Sequence, residues 1–126
     1  MPDKKIILHV EDSIENRILI RRLLQYEGYE VLEAGNAEEA LKLLQQHTPH
    51  LILMDMNMPN VDGYTLTNQI KKNPHLHRIP IVAITANVMR GDRERSMQAG
   101  CDGYFEKPID VDKFSEQLAR FLRPGD

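Results

Sequence analysis

The chain alternates short apolar segments with longer segments in which apolar residues recur at helical spacing. The apolar segments cover residues 6–10, 29–34, 51–54, 79–84 and 103–106. Strands that alternate with amphipathic segments of about ten to fifteen residues are typical of βαβ units. The pattern therefore predicts an α/β fold, in which five helices surround one five-stranded parallel sheet.

The charges within the apolar segments predict the order of the strands. The first, third and fourth segments are almost continuously apolar, as strands covered on both faces should be. The second segment carries Glu30 and Glu33, and the fifth ends with Glu106, so these two belong at the sheet edges. With right-handed crossovers, the order becomes 2-1-3-4-5. This is the known order of doubly wound, flavodoxin-like three-layer folds, and that precedent supports the assignment as much as the charges do.

Several residues mark the ends and faces of the predicted helices. Asn36 followed by Glu39 is a variant of the capping box, and Gly28 and Gly100 stand where glycines end helices. The stretch 87–98 is highly charged with a thin apolar face, so we expect a solvated, loosely packed helix. The last helix is expected to pack through Val111, Phe114, Leu118, Phe121 and Leu122.

The composition is that of one soluble globular domain. The 126 residues are 41% hydrophobic and 28% charged, with a formal net charge of −3. This acid excess argues against nonspecific nucleic-acid binding, and a single cysteine excludes an intramolecular disulfide. No apolar stretch is long enough for a signal peptide or a membrane span. We therefore expect one cytoplasmic domain over residues 1–126 with its core at about 5–122, no output domain, and no direct contact with nucleic acid or membrane.

Reactive side chains follow the predicted strands at their carboxyl ends. The first strand leads into Glu11 and Asp12, the third into Asp55, the fourth into Thr85 and the fifth into Lys107. Open parallel sheets bind ligands beyond these ends, at the switch in strand order, so we expect one shared crevice. Two carboxylates about 4 Å apart repel by roughly 4 kcal/mol at an effective dielectric near 20. A divalent cation removes that repulsion, and oxygen ligands suit Mg²⁺, or Mn²⁺ as a substitute.

This set of residues fits phosphoryl transfer onto a carboxylate. Asp55 would attack phosphorus and form an acyl phosphate. The metal and Lys107 would neutralise charge on the equatorial oxygens, and the Thr85 hydroxyl would donate to one of them. A cis peptide before Pro108 would aim Lys107 inward, although the sequence alone leaves both isomers open.

Four motifs in these places resemble those of response regulator receiver domains, the CheY-like family of two-component signalling systems. They are HVEDSIENR, LILMDMNMPNVDG, ITAN and GYFEKPI, and the resemblance extends from Ile6 to Leu122. It implies a stand-alone, phosphorylation-dependent switch in a phosphorelay or chemotaxis-like pathway. The phosphoryl group would come from a histidine kinase or a histidine-phosphotransfer protein, and the output would be contact with a downstream protein. Self-catalysed phosphorylation and dephosphorylation would be its only chemistry, so the chain is not expected to be an enzyme acting on a separate substrate.

The resemblance also implies roles for individual residues of the crevice. The metal ligands correspond to Glu11, Asp12, Asp55 and the backbone carbonyl of Asn57. Asp55 corresponds to the phosphoacceptor, and its catalytic partners correspond to Thr85 and Lys107.

Further residues correspond to positions that control the switch. Tyr104 matches the aromatic residue that moves when the switch hydroxyl moves. Asn57 and Asn87 stand at the two positions that tune the lifetime of the phosphate. Pro59 and Gly63 match the loop after the acceptor, where we expect Gly63 to supply backbone freedom.

The first predicted helix offers a hint about a partner. One face is expected to be apolar through Leu19, Ile20, Leu23 and Leu24. At 100° per residue, Ile14 and Ile18 fall on the opposite, polar face beside arginines. Exposed isoleucines are individually ordinary, but a pair beside the acidic residues is a candidate docking patch for a helical phosphodonor.

Two other classes of function share some of these features. Haloacid dehalogenase-type phosphatases also use an aspartyl nucleophile, but they need a second carboxylate two residues later, where this chain has Asn57. A pseudo-receiver would bind partners constitutively, and the intact set of acids, hydroxyl and lysine argues against it. Nucleotide binding is disfavoured because the chain has neither GxGxxG nor a P-loop motif.

The remaining reactive residues fit ordinary structural roles. His75 and His77 lack a third ligand nearby and are expected in a solvated loop. His9, inside the first strand, is expected to be a packed histidine, and Cys101 a small, partly buried residue.

Overall fold

The computed structural model describes residues 4–58, 62–86 and 91–122, and in this part of the chain five strands alternate with five helices. The strands are β1 (Ile6–Val10), β2 (Glu30–Ala34), β3 (Leu51–Asp55), β4 (Ile81–Thr85) and β5 (Gly103–Glu106). The helices are α1 (Ile14–Tyr26), α2 (Ala37–Gln46), α3 (Gly63–Lys71), α4 (Asp92–Ala99) and α5 (Val111–Phe121). All strands are parallel, in the order β2-β1-β3-β4-β5, so the predicted doubly wound fold is confirmed.

The strand bounds differ from the apolar segments at the ends that matter for function. β3 and β4 each extend one residue further, so Asp55 and Thr85 are the last residues of their strands. Asp55 pairs with Ile84, and Thr85 pairs with Glu106. Strand pairing depends on backbone hydrogen bonds, so a strand can continue through a polar residue as long as a neighbouring strand is there to pair with it. These two side chains therefore start from backbone that the sheet holds in place.

The sheet is covered by an apolar layer on each face. On one face, Leu8 and Met54 pack with residues of α2 and α3. On the other face, Ile7 and Leu53 pack with residues of α1 and α5, including Phe114. Burying one such side chain contributes about 1.5–3 kcal/mol relative to leaving it exposed. The two layers together hold the carboxyl ends of β1, β3, β4 and β5 in a fixed arrangement.

The predicted helix ends are confirmed where the structure describes them. The Asn36 side chain accepts from the Glu39 backbone N–H at 2.8 Å, and Glu39 bonds back to the Gly35 N–H at 2.7 Å. Gly28 and Gly100 follow their helices with φ of +89° and +114°, a region that side chains with a Cβ rarely adopt.

Two expectations about helix faces are wrong. Leu19 and Val111 are each 49% exposed. The buried face of α1 is centred on Ile20 and Leu24, and Leu19 lies about 100° around the helix from Ile20. Val111 is the first residue of α5, before the turn that carries the buried Phe114.

Helix α4 is attached to the rest of the protein in an unusual way. Its buried side chains are polar, namely Asp92 and Ser96. The thin apolar face predicted for residues 87–98 is therefore confirmed over α4, whereas residues 87–90 lie outside the described ranges. The Arg95 guanidinium lies 4.1 Å from the centre of the Tyr64 ring, and Arg93 lies 5.0 Å from the Tyr104 ring. Hydrogen bonds and cation–π contacts therefore take the place of apolar packing.

None of the helices in the described ranges is long and apolar enough to cross a membrane.

Candidate functional site

Three carboxylates meet at the carboxyl ends of the neighbouring strands β1 and β3. Glu11, Asp12 and Asp55 each present one carboxylate oxygen, and these oxygens lie within 4.8 Å of one another. Glu11 and Asp55 are buried, whereas Asp12 is exposed. We refer to these three residues as the acidic cluster. Parallel pairing of β1 with β3 brings together residues that lie more than 40 positions apart in the sequence.

The start of α1 holds the Glu11 carboxylate in place. Its Oε2 accepts from the Ser13 backbone N–H at 3.2 Å, and its Oε1 accepts from the Asn16 amide at 3.1 Å. Asn16 was not predicted as a site residue. The cap at Ser13, which accepts from the Asn16 backbone N–H, was the available signal that Asn16 lies in the first helical turn beside the site.

Crowding of the acids changes the protonation of Glu11. Burial raises the pKa of the Glu11 carboxyl to about 7, and the neighbouring Asp55 carboxyl raises it as well. Ionisation of Glu11 next to Asp55 is therefore energetically unfavourable in the absence of a cation. A bound divalent cation would offset that cost directly.

Lys107 supplies a positive charge on the other side of Asp55. Its Nζ lies 3.2 Å from Asp55 Oδ1, and the same oxygen accepts from the Asn57 backbone N–H at 2.9 Å. The peptide between Lys107 and Pro108 is cis, one of the two isomers that the sequence left open. The Lys107 backbone N–H also donates to the Thr85 carbonyl at 2.9 Å, which ties the ends of β4 and β5 together.

Thr85 is fully buried, and its hydroxyl points to a carboxylate that was not predicted as part of the site. Thr85 Oγ1 donates to Asp92 Oδ2 at 2.8 Å, and the Asn57 side-chain amide lies 3.4 Å from the same oxygen. Asn57 in turn accepts from the Ala86 backbone N–H at 2.7 Å. The charges of residues 87–98 predicted a solvated helix, which gave no reason to expect a buried carboxylate there. The available signal was that Asp92 directly follows Gly91, because acidic residues are common in the first turn of a helix.

Gly63 is needed for space, and the expectation that it supplies backbone freedom is wrong. Its φ lies outside the left-handed region, unlike that of Gly28. A Cβ at position 63 would lie 2.6 Å from Met56 Sδ and 3.2 Å from the Asp55 carbonyl oxygen. The missing side chain lets the first turn of α3 approach the backbone of the acidic cluster.

The other predicted residues lie around this centre. Tyr104 is half-buried on β5, pairs with Ala83 and carries Arg93 against its ring. Ile14 is 64% exposed at the first turn of α1, and Ile18 is partly exposed one turn later. Pro59 and Asn87 lie outside the described residues.

His9 lies beneath the site in β1 and is fully buried, as predicted. Within the described ranges, neither ring nitrogen has a hydrogen-bond partner. Burial lowers the pKa of His9 to about 4, so the ring is neutral at pH 7. His75 and His77 are exposed between α3 and β4, also as predicted.

The arrangement combines a nucleophile with groups that stabilise phosphate charge. Asp55 offers a buried carboxylate, and Lys107 a cation in contact with it. The donor atoms of the acidic cluster are all oxygens, which is the set that Mg²⁺ prefers over softer metals. The site therefore fits a magnesium ion and a phosphoryl group together.

Comparison with known proteins points in the same direction. A sequence profile of the response regulator receiver domain matches residues 7–119. The polar-differentiation response regulator DivK of Brucella anthropi is 42% identical over 118 residues, which span 94% of this chain and 96% of that protein.

Solved structures give the same result for the fold. The receiver domain of a sensor histidine kinase from Pseudomonas aeruginosa, with a magnesium ion coordinated in its active site cleft, superposes with a TM-score of 0.87 at 34% identity, over 95% of this chain and 98% of that one. The chemotaxis response regulator CheY4 of Vibrio cholerae superposes with a TM-score of 0.87 at 28% identity, over 95% and 100% of the two chains. The resemblance predicted from the motifs is thereby confirmed.

Proposed function

The chain belongs to the response regulator receiver domain family, and from that premise we propose that Asp55 is its phosphoacceptor. Members of this family act as phosphorylation-dependent signalling switches. The observation that carries the assignment is the contact between Lys107 Nζ and Asp55 Oδ1 at 3.2 Å, within the acidic cluster. A buried carboxylate with an ammonium group beside it can attack phosphorus and then share the new negative charge with that ammonium group.

We propose that Glu11, Asp12, Asp55 and the Asn57 backbone carbonyl hold Mg²⁺, for which Mn²⁺ can substitute. The oxygen donors of the acidic cluster support this, as does the magnesium ion in the related Pseudomonas aeruginosa structure. When bound, the metal supplies charge neutralisation for the phosphoryl oxygens. Asn16 and the start of α1 orient Glu11 for this role.

The transfer itself uses side chains of this chain. An Asp55 carboxylate oxygen forms the new bond to phosphorus while the bond from phosphorus to the donor nitrogen breaks, and the donor imidazole leaves. Lys107 pairs with the phosphoryl oxygens, and the Thr85 hydroxyl donates to one of them. Tyr104 changes position with Thr85, and Asn57 and Asn87 set how fast water removes the phosphate in a self-catalysed step.

A labelling experiment tests the acceptor. The protein is incubated with acetyl phosphate and Mg²⁺, and the gain of one phosphoryl group is followed by intact mass and located by peptide mapping. We expect labelling at Asp55 that chelation of Mg²⁺ abolishes, and none in Asp55→Asn. As a matched control, Asp102→Asn changes an exposed carboxylate at the opposite end of the sheet and should be labelled like wild type. Undiminished labelling of Asp55→Asn would refute the acceptor.

The donor is proposed to be a histidine kinase or a histidine-phosphotransfer protein, docked on Ile14 and Ile18. Both residues lie on the first two turns of α1, and the same segment holds Glu11 through Asn16. A helix seated there would bring its phosphohistidine to the acidic cluster. The output is proposed to be contact with a downstream protein.

A double variant tests the docking patch. Ile14→Ala with Ile18→Ala should slow transfer from the phosphorylated donor, while acetyl phosphate labels Asp55 at the wild-type rate. Met97→Ala removes an apolar side chain of similar exposure from α4 and serves as the control. Equal transfer rates for wild type and the double variant would exclude this patch as the docking site.

A further inference from the structure

The hydroxyl that the phosphoryl group needs is already engaged in this structure. Thr85 Oγ1 donates to Asp92 Oδ2 at 2.8 Å. A threonine hydroxyl has a single O–H donor. Thr85 therefore cannot donate to a phosphoryl oxygen on Asp55 and to Asp92 at the same time.

The Asp92 carboxylate is a strong competitor for that donor. It is buried, and although burial alone raises its pKa, hydrogen bonds such as that from Thr85 and the charge of Arg95 keep the pKa below its usual value. Asp92 is thus ionised at neutral pH, at the first residue of α4, where a helix favours negative charge. Hydrogen bonds to an ionised acceptor are shorter and roughly twice as strong as neutral ones.

The same carboxylate also reaches the loop after Asp55. The Asn57 side-chain amide lies 3.4 Å from Asp92 Oδ2 while its oxygen accepts from the Ala86 N–H. Asp92 therefore connects the loop after β3, the end of β4 and the start of α4. We refer to Asp92, Thr85 and Asn57 as the α4 clasp.

We propose that Asp92 is a positioning residue that holds the Thr85 hydroxyl in the unphosphorylated state, so that a phosphoryl group on Asp55 must draw this hydroxyl away from Asp92. The proposal rests on the proposed phosphorylation of Asp55 and adds to it the residue that opposes the switch. Release of Asp92 removes the buried polar anchor of α4, which has little apolar packing to keep it in place. The α4 clasp thus couples the charge at Asp55 to the attachment of α4.

Removing the carboxylate should make the activated state easier to reach. Beryllofluoride, which occupies the place of a phosphoryl group, is titrated with Mg²⁺ into the full 126-residue chain, and the midpoint is read from amide resonances. Because a charge-assisted hydrogen bond no longer has to break, Asp92→Ala should lower the midpoint by about tenfold. Asp92→Asn keeps the shape and an acceptor oxygen but loses the charge, so its midpoint should fall between those of wild type and Asp92→Ala.

Two controls separate this role from a merely structural one. Glu94→Ala removes an exposed carboxylate from the same turn of α4 and should leave the midpoint unchanged. In a Thr85→Ala background, Asp92→Ala should shift the midpoint by no more than about twofold, since the contact between them is already gone. A general loosening of α4 would shift the midpoint equally in both backgrounds.

A second readout needs no phosphoryl analogue bound to the variant. In Asp92→Ala alone, the Ala86 amide resonance should move part of the way towards its position in wild type saturated with beryllofluoride. An unchanged midpoint in both Asp92 variants, with wild type still labelled by acetyl phosphate at Asp55, would overturn the clasp and leave the proposed function standing. Failure of wild type to be labelled at Asp55 would overturn both.

Discussion

Binding of Mg²⁺ to the acidic cluster should release a proton from Glu11. In the metal-free protein, burial and the neighbouring Asp55 carboxyl raise the pKa of Glu11 from 4.5 to about 7. This difference corresponds to about 3 kcal/mol that disfavours the carboxylate form in the folded protein. A metal ligand must be deprotonated, so the ion and the proton compete for Glu11.

This competition between proton and metal determines how the apparent affinity for Mg²⁺ depends on pH. Above pH 7 Glu11 is largely ionised and the apparent affinity for Mg²⁺ should be constant. Below pH 7 it should fall by about tenfold per pH unit, so that binding at pH 6 is about tenfold weaker than at pH 8. Without metal, the same shift means that folding is stabilised below pH 4.5 and that this stability is lost as the pH rises through 7.

Isothermal titration calorimetry measures the proton directly. Mg²⁺ is titrated at pH 6 in two buffers that differ in their heat of protonation, and the difference in heat gives the number of protons released. We expect about 0.9 proton per ion at pH 6 from a group with a pKa of about 7. In Glu11→Gln, binding should be weaker and should lose this proton release. Absence of proton release in wild type at pH 6, or equal affinities at pH 6 and pH 8, would refute the reasoning.

Two further predictions concern residues beneath and beside the site. Because His9 is buried with its pKa lowered from 6.5 to about 4, its contribution to the free energy of unfolding should fall by about 2 kcal/mol between pH 7 and pH 5. The opposite contribution of Glu11 is common to both proteins, so urea unfolding should show His9→Leu gaining about 2 kcal/mol relative to wild type over that interval. The same difference in stability between the two proteins at pH 7 and at pH 5 would show that His9 does not contribute to the pH dependence. Gly63→Ala should destabilise the fold by about 1–3 kcal/mol and slow labelling of Asp55, because its Cβ overlaps Met56 Sδ. If Gly63→Ala unfolds at the urea midpoint of wild type, then Met56 can move aside without destabilising the fold.

The sequence predicted the sheet because its signals are local. Each strand is a continuous apolar segment, and the charges of Glu30, Glu33 and Glu106 mark the edges. The acidic cluster, Thr85 and Lys107 could be placed together because the ends of neighbouring parallel strands share one edge of the sheet.

The remaining features depend on contacts that no local pattern encodes. Asp92 lies in a stretch of charged residues, and its burial depends on Thr85 and Asn57, the second of which is 35 positions away in the chain. Gly63 carries no left-handed φ, and its close contact is with Met56, across a loop. Leu19 has the residue type of a core position, but its angle on α1 keeps it half exposed.

The polar attachment of α4 also determines how a movement of that helix responds to temperature. The heat-capacity change of a transition follows the apolar area that it exposes, at about 0.45 cal/K/mol per Å². The buried side chains of α4 are Asp92 and Ser96, so the helix itself contributes little apolar side-chain surface when it separates from the sheet. Such a movement has a small heat-capacity change, and its enthalpy stays nearly constant where that of global unfolding changes steeply. Cooling or warming therefore changes the enthalpy of unfolding the two apolar layers far more than it changes the enthalpy of moving α4.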